Sequence, residues 1–152
     1  MEEITGATSR PQYPNNTLTW DEIKSLDRHR LIDIGAHTHT HANLSVLSHD
    51  AAKEEMLLSK KKLEKELKCS IKHFAYPFGG RKEAGQRERE IARDLGFETG
   101  WTSIPGGVRH QSRWGLPRFV MAQKHTPKYL ELRLSGWELF CRDYLSTIGL
   151  GR

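Results

Sequence analysis

The chain has 152 residues, a net charge of +5, 36% hydrophobic and 28% charged residues, a composition that fits one globular domain and argues against a disordered chain. No apolar run approaches the ~20 residues that a membrane-crossing helix needs, and Glu2, Glu3, Arg10, Asp21 and Glu22 interrupt any apolar leader. The expectation is a cytoplasmic protein, or an envelope-associated one if a targeting segment lies upstream, with no membrane span.

Residues 1–17 read as coil, with Pro11, Pro14, Asn15 and Asn16 as turn formers. Residues 18–148 read as one folded domain. Thr19-Trp20-Asp21-Glu22 has the form of a capping box and opens a short helix to about Arg28. Residues 31–36 (LIDIGA) predict a buried strand that runs into a histidine cluster. Ser48 suits the N-cap of a long helix over residues 49–68, with Ala52, Met56, Leu63 and Leu67 on one face and lysines with glutamates on the other. A second strand covers 72–76 and ends at Pro77 and Gly79-Gly80. A charged helix over 83–95 follows, with Gly96 placed as its C′ residue. Residues 97–101 and 116–121 predict the third and fourth strands, separated by a loop marked by Pro105-Gly106-Gly107. Thr126-Pro127 opens a last helix that runs to about Ser146, with a break at Gly136.

Strands alternating with helices imply parallel strands joined by crossover helices. The predicted fold is therefore α/β with about four parallel strands. Closed barrels of this kind run to about 250 residues, so the chain is too short to close one alone. The basic residues are scattered, and lysines 60–62 sit among glutamates at helical spacing. They read as a solvated helix face, and nucleic acid is not expected as a partner. Cys69 and Cys141 match no metal or redox spacing and read as free thiols, unless the fold brings them together.

The strongest chemical signal is the run Gly35-Ala36-His37-Thr38-His39-Thr40-His41. Two imidazoles on one metal ion need nitrogens a few ångströms apart, since Zn–N bonds are about 2.0–2.1 Å. Residues four apart on a strand stand roughly 13 Å apart, whereas four apart on a coiled turn they can meet. If His37 and His41 share an ion, the strand ends near His37 and the chain coils there, at the carboxyl end of a parallel strand, where α/β folds place active sites. The alternative is a polar loop that binds metal only adventitiously. His39 would point away and reads as structural. A second signal is Phe74-Ala75-Tyr76-Pro77-Phe78-Gly79-Gly80, where a strand ending in Pro and Gly can turn a backbone amide toward a ligand. The alternative there is an ordinary strand exit.

The stretch from Thr19 to Glu22, the run from Ile34 to Ser45 with His37, Thr38 and His41 at its centre, the segment Tyr76-Pro77-Phe78-Gly79 and the strand Leu116-Pro117-Arg118-Phe119 together resemble the polysaccharide deacetylase family (NodB homology, carbohydrate esterase type) over residues 17–122. The resemblance implies an incomplete or distorted (β/α) barrel. It implies metal-dependent hydrolysis of an acetyl group from an N-acetylated or O-acetylated sugar, with zinc as the common ion. On it, His37 and His41 become metal ligands and Thr38 ties down the turn between them. The Phe78 backbone amide becomes the oxyanion donor, Tyr76, Pro77 and Trp101 line the substrate, and Arg118 supports the site.

The family's Asp-Asp pair, which carries the general base and a third ligand, has no counterpart in this sequence. Ala75 stands where its third motif begins with arginine. Its late histidine motif has no clear match; His110 and His125 are the nearest histidines, and Arg113 or Arg118 could orient a carboxylate. The expectation is a deacetylase domain lacking an amino-terminal part, of uncertain activity alone. A non-catalytic carbohydrate-binding module of the same fold is the alternative. An open sheet edge near Leu31 makes homodimerisation an expectation too.

Overall fold

A computed structural model describes residues 17–108, 112–122 and 124–137. The fold divides into two compact units, the first ending at Asp33 and the second beginning at Ile34. In the first unit, α1 spans Trp20–Asp27 and opens on the expected capping box. Thr19 Oγ1 accepts from the Glu22 amide at 3.3 Å while the Thr19 amide donates to Glu22 Oε2 at 2.7 Å. Two of the orphan donors at that terminus are thereby satisfied.

The second unit is α/β. A 3-10 turn spans Leu44–Val46, α2 spans His49–Leu67, β1 His73–Ala75, α3 Gln86–Asp94 and β2 Thr99–Trp101; a second 3-10 turn, Arg113–Gly115, and α4, Pro127–Leu134, follow. Strands β1 and β2 are parallel, with Phe74 opposite Gly100. Ala36 bridges Phe74 on one side and Leu116 bridges Trp101 on the other, both in parallel sense. Four segments therefore lie side by side in chain order, where four strands were expected, but only the inner two are strands.

The outer two segments shorten for stated reasons. Leu31 lies in a turn and is 73% exposed, so the buried strand expected over 31–36 reduces to contact at Ala36. That residue gives its amide to the His73 carbonyl at 2.8 Å and accepts from the Ala75 amide at 2.9 Å. Gly35 permits the approach, since a Cβ there would stand 3.2 Å from the His73 carbonyl oxygen. On the far side, the ladder stops at Leu116, and the next carbonyl after β2, that of Thr102, accepts from the Arg118 side chain instead of a backbone amide.

The core gathers Phe74, Tyr76 and Phe97 with Leu44, Met56, Ile71 and Ile91. Phe74 meets Tyr76 edge-on at 5.1 Å and Phe97 at 5.2 Å between ring centroids, geometries that aromatic quadrupoles favour. Helix α2 starts at the expected cap, Ser48 Oγ accepting from the Ala51 amide. It buries Ala52, Met56 and Ser59. Lys60, on the same helix, donates from Nζ to the Leu95 carbonyl at 2.8 Å and covers the Phe97 ring. It thus caps the C-terminus of α3, a favourable place for a cation. Gly96 takes φ 73 there, as its C′ position demands.

Helix α3 begins at Gln86, three residues after the expected start. Its buried Glu88 is paired with Arg87 at 2.6 Å. The same guanidinium donates to the Leu44 and Leu47 carbonyls at 2.6 and 2.9 Å, which clamps the 3-10 turn following the histidine run. Thr126 caps α4 by accepting from the Tyr129 amide, with Pro127 at its first turn. Gly136 stands at φ 74 just beyond it, and the expected continuation past residue 137 lies outside the described residues. Cys69 is exposed; Cys141 lies outside the described residues.

Candidate functional site

The histidine run coils as a shared site requires. Ala36 ends the paired backbone, and the chain then turns through Thr38 at φ 59 and His41 at φ 61. Left-handed backbone at a β-branched residue and at a histidine costs of order 1–3 kcal/mol each. The turn brings the His37 and His41 rings to 4.9 Å between centroids, edge to face. The Phe78 ring, 62% exposed, meets His41 in the same manner at 5.3 Å.

The orientation of His37 follows from its hydrogen bond. Its Nδ1 lies 2.6 Å from the Ala75 carbonyl oxygen, which can only accept. Nδ1 therefore carries the proton, and in the neutral ring Nε2 offers its lone pair. Partial desolvation lowers the His37 pKa from its ordinary 6.5; the Ala75 carbonyl opposes this, while the charges of His41 and Arg118 reinforce it. A neutral, oriented imidazole is the form that binds metal.

Helix α2 holds the turn from behind. Glu55 Oε2 accepts from the amides of His39 and Thr40, both at 2.9 Å, and Oε1 accepts from the Thr40 hydroxyl at 2.9 Å. Burial works to raise the Glu55 pKa, but the Thr40 and His39 hydrogen bonds outweigh it and hold the carboxyl below its ordinary range. One helical turn on, Ser59 Oγ accepts from the His37 amide at 3.4 Å. Thr38 Oγ1 donates to the His37 carbonyl at 2.7 Å, so the threonine ties down the turn through its backbone. Asn43 Oδ1 accepts from the Ser45 amide and hydroxyl, closing the exit into the 3-10 turn.

The second motif supplies the other wall. Phe78 and Gly79 take φ 61 and 62 in succession. Gly79 donates its amide to the Pro77 carbonyl and accepts from the Ser103 amide at 2.8 Å, while the Ser103 hydroxyl donates to the Phe78 carbonyl. A Cβ on Gly79 would come within 2.7 Å of the Ser103 nitrogen, so only glycine fits.

The family model for polysaccharide deacetylase matches residues 4–100. The chain belongs to the polysaccharide deacetylase family. No curated protein matches it in a sequence search. Among solved structures, the Streptococcus pyogenes deacetylase PplD in complex with acetate is similar at 24% identity and a TM-score of 0.70, covering 80% of this chain and 53% of that one. The BpsB deacetylase domain from Bordetella bronchiseptica is similar at 13% identity and a TM-score of 0.61, covering 76% and 55% respectively. This polysaccharide deacetylase chain thus spans about half the length of these two structures.

Within the family frame, several expected residues fall elsewhere. Tyr76 and Pro77 were expected against substrate, yet both side chains are fully buried. The Tyr76 hydroxyl donates to the Trp114 carbonyl at 2.8 Å, and burial pushes its pKa up. The apolar strand end that drew attention to them is core. Trp101 lies in β2 and donates its indole N–H to Thr99 Oγ1. Arg118 reaches His37 through its charge, with Nε anchored on the Thr102 carbonyl at 2.8 Å. His125 accepts the Ala122 amide and stacks on Tyr129, which gives it a local structural place. His110 lies outside the described residues. Glu55 and Ser59 were missed, because each reads in sequence as part of a helix face.

As a metal cradle, the donor set fits in part. Nε2 of His37 and the imidazole nitrogens of His41 are donors of the kind a divalent ion takes. Among the described residues, no group of three or more His, Cys, Asp or Glu forms a cage.

Proposed function

We propose that this chain supplies the imidazole ligands of a divalent-metal site, zinc foremost, for hydrolytic deacetylation of an N-acetylated or O-acetylated sugar. The observation that carries the reading is the pairing of His37 with His41, with Nδ1 of His37 fixed on the Ala75 carbonyl and Nε2 left to coordinate. A bound divalent ion lowers the pKa of a coordinated water and polarises an acyl carbonyl. The chain's own residues orient and stabilise around that chemistry. The Phe78 amide, held at the strained exit of β1, is proposed to donate to the oxyanion that forms when water adds to the acetyl carbon. For an N-acetyl substrate, collapse of that species breaks the C–N bond and releases acetate and an amine. The exposed Phe78 ring and Trp101 are proposed to contact the sugar. Arg118, charged and beside His37, supports the anionic side of the reaction.

The general base and a further ligand are proposed to come from residues outside the described set. An acetylated carbohydrate is the proposed partner, with an envelope-associated location in keeping with it. Among the described residues no group of three or more metal-ligating side chains comes together, which favours a second reading, a carbohydrate-binding module that keeps the family fold without catalysis.

Isothermal titration of zinc into the wild type and into the His37→Ala/His41→Ala variant tests the proposal. One-to-one binding abolished in the variant supports it. Absence of binding, or binding unchanged by both substitutions, overturns the metal reading and leaves the module.

A further inference from the structure

We infer that Glu55 is a positioning residue of the site: its carboxylate sets the turn that holds His37 and His41 together. The inference rests on the metal-site reading above and concerns a residue whose hydrogen bonds go to His39 and Thr40, between the two imidazoles.

The turn carries backbone strain that contacts from outside it must offset. Two of its residues, Thr38 and His41, stand in left-handed backbone without being glycine. The amides of His39 and Thr40, between them, point into one oxygen of Glu55, and the Thr40 hydroxyl takes the other. Hydrogen bonds to an ionised acceptor are roughly twice as strong as neutral ones. The three here close a bridge of 15 and 16 residues in sequence, from the turn to the middle of a rigid helix. Residues 52, 55 and 59 share one face of α2, and Ala52 and Ser59 are buried there. Glu55 is thus backed by the core, and Ser59 holds the His37 amide from the same face. The carboxylate occupies the inner side of the turn, where removing it leaves two amides without their acceptor.

The consequence is specific. Partners that orient metal ligands typically contribute 10–100-fold in metal affinity, and Glu55 orients both ligands at once through the backbone between them. Glu55→Ala is expected to weaken zinc affinity about tenfold or more and to speed hydrogen exchange at the His39 and Thr40 amides in the metal-free protein. Glu55→Gln can keep its oxygen on both amides while its NH₂ donates to the Thr40 hydroxyl, so it is expected between the alanine variant and wild type. Glu54→Ala, an exposed neighbour on the helix, controls for helix charge and should bind as wild type does.

The experiment is zinc titration of the full chain and its three variants, with amide exchange followed by NMR on the metal-free samples. Graded loss in the order Gln then Ala, with Glu54→Ala unchanged, supports the inference. Affinity and exchange within about twofold of wild type in both Glu55 variants overturn it; should Glu55→Ala not fold, Glu55→Gln alone decides. Wild type that binds no zinc would sink the metal reading instead, and exchange at His39 and Thr40 would still decide whether Glu55 holds the turn.

Discussion

At the scale of single residues, the site is built on positions where ordinary side chains sit badly. Thr38, His41 and Phe78 all take left-handed backbone, and Gly79 follows Phe78 into it. Such positions persist only where surrounding contacts over-determine them. Gly79→Ala is therefore expected to cost about 1–3 kcal/mol, since its Cβ would press on the Ser103 amide. Chemical denaturation of the variant against wild type measures this, and an unchanged midpoint would contradict the account. The Glu55 carboxyl makes a second prediction. Its folded-state pKa lies below the ordinary 4.5, so on acidification the unfolded chain takes up the proton first. The stability it contributes is complete above the unfolded value and is lost as pH falls through the lower folded one. Between those values wild type should lose more stability than Glu55→Gln, and parallel denaturation curves across that window would refute it. Neither Glu55 nor Ser59 could be read as part of the site, because their bonds to the turn span 15 to 22 residues and leave no local pattern. His37 and His41 could be picked out, because their spacing permits one arrangement in a coil and another in a strand.

Elements carry the next level of the argument. Helix caps were legible from short, local chemistry: Thr19, Ser48, Thr126 and Gly96 occupy the places their neighbours in sequence imply. Strand lengths were not, because pairing depends on partners far along the chain. The apolar run at 31–34 matches a strand in pattern, yet Leu31 is in a turn and Ala36 makes the bridge. Tyr76 and Pro77 were drawn toward substrate by their motif and belong to the core. The Arg87–Glu88 pair shows what such long-range packing is worth. Arg87→Ala would leave the buried Glu88 carboxylate without its cation and free the Leu44 and Leu47 carbonyls. The loss expected is about 3 kcal/mol, read as a lower denaturant midpoint. A variant as stable as wild type would mean that the clamp contributes nothing.

For the whole molecule, the parallel row from Ala36 through β1 and β2 to Leu116 defines an α/β sheet with two strands and two bridging flanks. No strand among the described residues pairs with the Ala36 segment on its other side. Parallel sheets are normally covered on both faces and continued at their edges. Concentration-dependent self-association is thus expected, and sedimentation analysis over a hundredfold range of protein would reveal it. A single monomeric species throughout would show that the edge is protected. The chain spans about half the length of PplD and of the BpsB domain.

Helix α2 ties the second unit together in a way that also constrains how its gene can vary. Within six residues it presents Glu55 and Ser59 to the histidine turn and Lys60 to the end of α3. Each residue added to a helix swings everything beyond it by about 100°. One codon gained between positions 55 and 60 would leave every side chain intact and turn one set of them away from its partners. Substitutions in this stretch are open to repair one at a time; a change of length is not.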